Sequence, residues 1–221
     1  PLTATEISEK CANAVFYLEV YSFNGDLKGS GSGFFISSDG YAITNYQVIE
    51  GSRYMKISSP NGMKYDSVKV VDVYKEQDLA LLKVDHILPF DYLETGDSTA
   101  LKQGQKVYAI GSPITLDNTM SEGIISNTRR IIENVHYIQI SVPILSGSSG
   151  GALIDEYGRV VGVTAAGFGI SDLNFVIPIQ YVSKLDKSAS VGAVPSVSTF
   201  YPTMSEVYDF GVFTGINVTS Y

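Results

Sequence analysis

The sequence predicts an all-β protein built as two consecutive antiparallel six-stranded β-barrels, with a short helix at each end. Three observations predict it. Short runs rich in β-branched and aromatic residues recur along the chain, and turns containing Gly, Asn, Asp or Pro bound them. A stretch from 91 to 105 without that pattern divides the runs into two sets, at the density expected of barrels.

The elements follow in order. Thr3-Ala4-Thr5-Glu6 is a capping-box pattern ahead of Ile7 to Asn13, so a short helix is expected there, with Cys11 packed against the body as an inert buried thiol. The first set, of about six strands ending near Phe90, includes Val15 to Tyr21, Gly31 to Ile36, Arg53 to Ile57, Val68 to Tyr74 and Asp78 to Val84. The second comprises Lys106 to Ile110, Thr119 to Ser126, His136 to Val142, Gly151 to Ile154, Arg159 to Ala165 and Leu173 to Ile177. Asp155-Glu156-Tyr157-Gly158 reads as a hairpin loop, and Ile179 to Lys187 carries a helical pattern. The expected division is one domain over 1–187, with barrels at about 14–90 and 104–178, and a tail over 188–221. That tail holds Phe200, Tyr201, Tyr208, Phe210, Phe213 and Tyr221 with little charge. It reads either as a segment that packs across a barrel or a second copy, offering a surface for self-association, or as a linker.

Composition narrows the function classes. A chain of 221 residues, 44% hydrophobic and 17% charged, can bury a substantial core. A net charge of −8 argues against nucleic acid or an anionic membrane as partner. The Arg129-Arg130 doublet is expected in a solvated loop, and no apolar run is long enough to suggest a bilayer span or membrane contact by this segment. One cysteine and two unclustered histidines give no metal-ligand spacing, and no phosphate loop or dinucleotide fingerprint appears, so no cofactor is expected.

The chemistry concentrates in Gly147-Ser148-Ser149-Gly150-Gly151. A serine between glycines in a tight turn exposes its hydroxyl, and the N–H groups of Gly147 and Ser149 can converge as an oxyanion hole. Alone such a cluster is an ordinary turn. Upstream, however, Asp78-Leu79-Ala80-Leu81 places a carboxylate at the head of an apolar run, and Ala42-Ile43-Thr44-Asn45-Tyr46-Gln47-Val48-Ile49 precedes it.

The stretch from Gly31 to Asn45, with Val48-Ile49-Glu50-Gly51, Asp78 to Val84, Ile110-Gly111-Ser112-Pro113, Glu122 to Ser126, Tyr137-Ile138-Gln139 and Asn174 to Ile179, resembles trypsin-like serine proteases of the HtrA (Deg) family. The resemblance covers residues 4 to about 187. It implies an endopeptidase acting on polypeptides through an acyl-enzyme, with Asp78 as acid and Ser149 as nucleophile. Two departures stand out: the family's G-N-S-G-G reads G-S-S-G-G, and Gln47 occupies the position of the histidine base. A glutamine amide cannot accept a proton near neutrality, so the chain as written is expected to be catalytically inert. His86 and His136 lie outside the family's base segment and read as structural. The resemblance further implies a first specificity pocket floored by Pro143, Ile144 and Leu145 and walled by Thr164, Ala165, Ala166 and Gly167; none is charged, so an aliphatic side chain is expected there. It implies an exported or cell-envelope bacterial setting with the targeting segment outside this sequence. It also implies oligomerisation and a following PDZ domain, for which the residues after 187 are too few. Two alternatives stay open: a natural pseudoprotease that binds peptides or proteins, and a purely structural β-domain.

Overall fold

A computed structural model describes residues 1–113, 117–165 and 173–189. Helix α1 (Ala4–Cys11) opens the chain, and its start is fixed by the capping box: the Thr3 N–H donates to Glu6 Oε2 at 2.7 Å and the Glu6 N–H to Thr3 Oγ1 at 3.2 Å. Strands β1 (Val15–Tyr21), β2 (Leu27–Phe35), β3 (Tyr41–Thr44), β4 (Tyr54–Ser58), β5 (Lys64–Tyr65), β6 (Val68–Tyr74) and β7 (Leu79–Val84) form the first unit, with a four-residue helix α2 (Tyr46–Ile49) after β3. The second unit holds β8 (Lys106–Gly111), β9 (Thr119–Ile132), β10 (Val135–Ile140), β11 (Ala152–Asp155), β12 (Val160–Thr164) and β13 (Asn174–Pro178).

The second unit is a closed six-stranded barrel in the order β10-β13-β12-β11-β8-β9. The first is a curled seven-stranded sheet, β5-β4-β1-β2-β3-β7-β6, in which β4 approaches β6 without a hydrogen-bonded closure. The expected six-stranded first barrel is corrected to this extent, for a physical reason. At one edge β5 is only two residues long, and at the other β6 carries a bulge between Val70 and Asp72; both shorten the ladder a closure would need. The C-terminal helix is likewise shorter and tighter than expected, a 3-10 segment over Ile179–Lys184.

Strand β9 runs past the expected end at Ser126 to Ile132 and turns through Glu133 and Asn134 into β10. Both turn residues have positive φ, +50° and +65°, as a two-residue hairpin requires. The Arg129-Arg130 doublet therefore lies on a strand, and Arg130 Nε donates to Gln139 Oε1 across the ladder at 2.8 Å. The loop Asp155–Gly158 does join β11 to β12, closed by the Asp155 carboxylate, which accepts from the N–H groups of Tyr157 and Arg159 at 2.9 and 3.0 Å.

Burial follows the strand alternation. Phe16, Leu18, Phe35, Ile57 and Leu82 fill the first unit; Val107, Ile125, Ile138, Leu153 and Val176 fill the second. A third cluster spans the junction, joining Ile7, Phe34, Ile43 and Leu79 to Tyr108, Ile154, Val163 and Phe175. Helix α1 belongs to this bridging core. Its Cys11 is fully buried, with Sγ donating to Gly158 O at 3.5 Å, and burial pushes the thiol pKa up to about 11. The native protein should therefore resist a thiol reagent at pH 8 and label fully in denaturant; rapid stoichiometric labelling of the folded chain would show that α1 does not hold this position.

Candidate active site

Position 47 is set by its neighbours. Tyr46 and Ile49 are buried on one side of α2, which turns Gln47 outward. The Gln47 backbone N–H donates to Asp78 Oδ1 at 2.7 Å. Asp78 follows the 3-10 turn Lys75–Gln77 and sits in the left-handed region at φ 53°, ψ 44°, a conformation in which Asp is tolerated better than most residues. Its carbonyl accepts from the Tyr46 N–H and from Asn45 Nδ2, each at 3.1 Å, and its N–H donates to Lys75 O at 3.0 Å, so the strained backbone is held from both ends. Burial pushes the Asp78 carboxyl up to about 6. The nearby Glu50 charge adds to the rise, while hydrogen bonds from the backbone and side chain of Gln47 oppose it.

Ser149 lies in the turn between β10 and β11. Gly147 and Gly150 flank it at φ +86° and +88°. A side chain at Gly147 would collide with the Pro113 carbonyl, and one at Gly150 with the Ser32 carbonyl, so neither backbone sign nor space admits another residue. The turn is tied to both units: Ser149 O accepts from the Ser32 N–H at 2.8 Å, Gly147 O from Ser32 Oγ at 3.0 Å, and Ser148 O from Thr164 Oγ1 at 2.6 Å. The N–H groups of Gly147 and Ser149 take no partner among the described residues.

Gln47, Gly147 and Ser149 line one cleft of about 580 Å³. Ile144 and Leu145 line this cleft too, and with Pro143 and Thr164 they also line an uncharged void of about 10 Å³, room for about one water. Within this group Ala165 is buried, Pro143 and Leu145 are exposed, and Ala166 and Gly167 lie outside the described residues, as does the tail from 190. Both histidines are elsewhere: His86 Nδ1 lies 3.2 Å from the Leu88 N–H, and His136 sits between Tyr181 Oη and Thr128 O, 3.2 Å from each. Among the described residues no group of three His, Cys, Asp or Glu is placed to hold a metal. Three neighbours were not singled out from sequence: Ser32, Glu50 and Ser52. Ser32 is hidden in a run of alternating small residues, and only its partners show what it does.

A trypsin-like peptidase domain family matches residues 31–163, a span that includes positions 47, 78 and 149. The chain belongs to the trypsin-like peptidase family. This trypsin-like peptidase chain is 35% identical over 184 residues to serine protease HTRA1B of Danio rerio, covering 78% of the chain and 38% of the relative. It is 35% identical over 185 residues to the mitochondrial serine protease HTRA2 of Bos taurus, covering 78% and 40%. It is 42% identical over 158 residues to a probable periplasmic serine endoprotease, DegP-like, of Halomonas elongata, covering 68% and 33%. The chain thus spans well under half the length of these relatives.

The Asp78 environment gives a pH signature. A carboxyl raised from 3.8 to about 6 binds its proton more tightly folded than unfolded. Its contribution to stability is therefore full below about pH 4 and is lost as pH rises through 6. Asp78→Asn should raise the melting temperature at pH 7.5 and leave it nearly unchanged at pH 4; equal shifts at both pH values would contradict the buried-charge account.

Proposed function

We propose that this trypsin-like peptidase chain is an HtrA-type serine endopeptidase domain whose chemistry is stopped at one step by Gln47. The domain would occupy residues 1–187, with the curled sheet and the barrel standing as its two barrels. The observation that carries the reading is the pairing of Ser149, in a turn with two unpartnered N–H groups, with residue 47 bonded to Asp78 on the facing wall of one cleft. Ser149 would attack the substrate carbonyl, and the Gly147 and Ser149 N–H groups would stabilise the oxyanion. Asp78 would orient residue 47 and stabilise positive charge on a base there. Gln47 cannot take the Ser149 proton, and loss of the base alone in a comparable protease costs about 10⁶ in turnover.

The substrate class is an extended polypeptide. Strand β2 pairs with β3 only at Phe34 and Phe35, and the Ser32 N–H points away from β1 to Ser149. By the two-residue repeat, the main-chain groups of Ser30 face the same way, toward the cleft that Ser30 lines. An extended chain could add there. The pseudoprotease reading has one observation in its favour: the Gln47 backbone N–H hydrogen-bonds the Asp78 carboxylate at 2.7 Å, so Asp78 has a donor without a base.

Gln47→His should hydrolyse unfolded protein and react with a serine-directed phosphonate at Ser149. A folded revertant that neither hydrolyses nor labels would favour the binding reading instead. The same revertant should prefer Val, Ile, Leu or Ala over Lys, Arg or Asp before the scissile bond. Two buried methylenes are worth about 1.6 kcal/mol, more than tenfold in rate. A profile dominated by Arg or Lys at that position would reject the uncharged pocket expected from residues 143–145 and 164–167.

A further inference from the structure

The cleft beside Ser149 contains a polar end that proton transfer does not use. The turn after α2 is rigid: the Glu50 N–H donates to Tyr46 O at 2.9 Å, Gly51 has φ +66°, and the Ser52 N–H donates to Ile49 O at 3.0 Å. Glu50 is steadied at its other end as well, since the buried Tyr46 hydroxyl donates to Glu50 Oε1 at 3.2 Å. Ser52 is only 3% exposed and lines the cleft, yet its hydroxyl has no hydrogen-bond partner among the described residues. A buried hydroxyl left unpaired is unfavourable, so such a group at a cleft wall marks a place where a ligand atom belongs.

We infer that Glu50 and Ser52 form a side-chain subsite that selects a lysine or arginine of the bound peptide; the inference rests on the peptidase reading above. A carboxylate steadied by Tyr46 and a hydroxyl two residues later both offer acceptors on the lining of this cleft. Ammonium and guanidinium groups bring several donors and a positive charge. The net charge of −8 favours approach of a basic peptide. Lys28 also lines the cleft, so the preference for a cation belongs to the Glu50–Ser52 end and not to the whole cleft. The subsite is chemically distinct from the uncharged stretch of the cleft wall at Ile144 and Leu145.

The Gln47 chain suits a binding test because it should hold a peptide without consuming it. Fluorescein-labelled peptides, identical except for Lys, Gln or Glu at each of three positions after a valine, would be titrated and read by anisotropy. At one position Lys should bind about fivefold tighter than Gln, with Glu weaker still. Glu50→Gln should bring Lys and Gln within about twofold, and Ser52→Ala should weaken the Lys peptide; thermal melts would establish that both variants are folded. No binding, no preference, or a Lys preference that survives Glu50→Gln overturns the subsite. Phosphonate labelling of Gln47→His separates the two proposals. Labelling without a Glu50-dependent preference rejects the subsite alone, and a Glu50-dependent preference without labelling rejects the peptidase reading alone.

Discussion

Ser32, fully buried on β2, reaches across the junction between the units and holds the serine turn by two hydrogen bonds, one from its N–H to Ser149 O and one from its Oγ to Gly147 O. Its own hydroxyl accepts from the Ser112 N–H at 2.9 Å, and its carbonyl accepts from Thr44 Oγ1 at 2.7 Å. Every polar atom of this residue is therefore committed to a different part of the molecule. Each such bond adds about 1 kcal/mol net, but leaving one buried and unmade costs about 1–3 kcal/mol, so the arrangement resists partial opening. The wall carrying residue 47 and the wall carrying Ser149 are set relative to one another through this residue and through the bridging apolar core beneath it. Gly150 fits the same constraint, because any side chain there would strike the Ser32 carbonyl.

The electrostatics of the other wall follow from what is missing rather than from what is misplaced. Asp78 is buried enough to raise its pKa, has Glu50 as a like charge nearby, and has only neutral donors from residue 47. An imidazolium at that position would supply the opposite charge that lowers a buried carboxyl's pKa. A neutral amide leaves the carboxylate stabilised by hydrogen bonds alone.

Much of this arrangement could be read before any coordinates. The capping box at Thr3, the hairpin loop at Asp155–Gly158 and the buried Cys11 follow from local pattern and sit where it put them, and most strand runs do so within a few residues, β2 and β9 being longer. The proximity of position 47 to Asp78 and the shared cleft with Ser149 were legible only through joint motifs, since these residues are far apart in the chain. What stayed hidden depends on partners from distant segments. Closure of the first sheet turns on the length of β5, whose alternation is too short to register. The Glu133-Asn134 turn carries only half of a hairpin signal, because Glu, unlike Asn, is not a usual left-handed former. Ser32, Glu50 and Ser52 carry no motif of their own, and their roles appear only when hydrogen bonds and burial can be counted.

The outward direction of residue 47 does not depend on its side chain. Helix α2 is positioned by burial of Tyr46 and Ile49 and by the bonds of Tyr46 and Asn45 to the Asp78 carbonyl. The bond between residue 47 and the Asp78 carboxylate runs from the backbone N–H, which any residue but proline would supply. A histidine placed there would inherit the same backbone frame and the same acceptor on Asp78. The step from glutamine to histidine changes basicity and ring geometry without asking the fold to move. The framework that brings residue 47 and the serine turn to one cleft is therefore set by backbone bonds and burial and not by the side chain at 47.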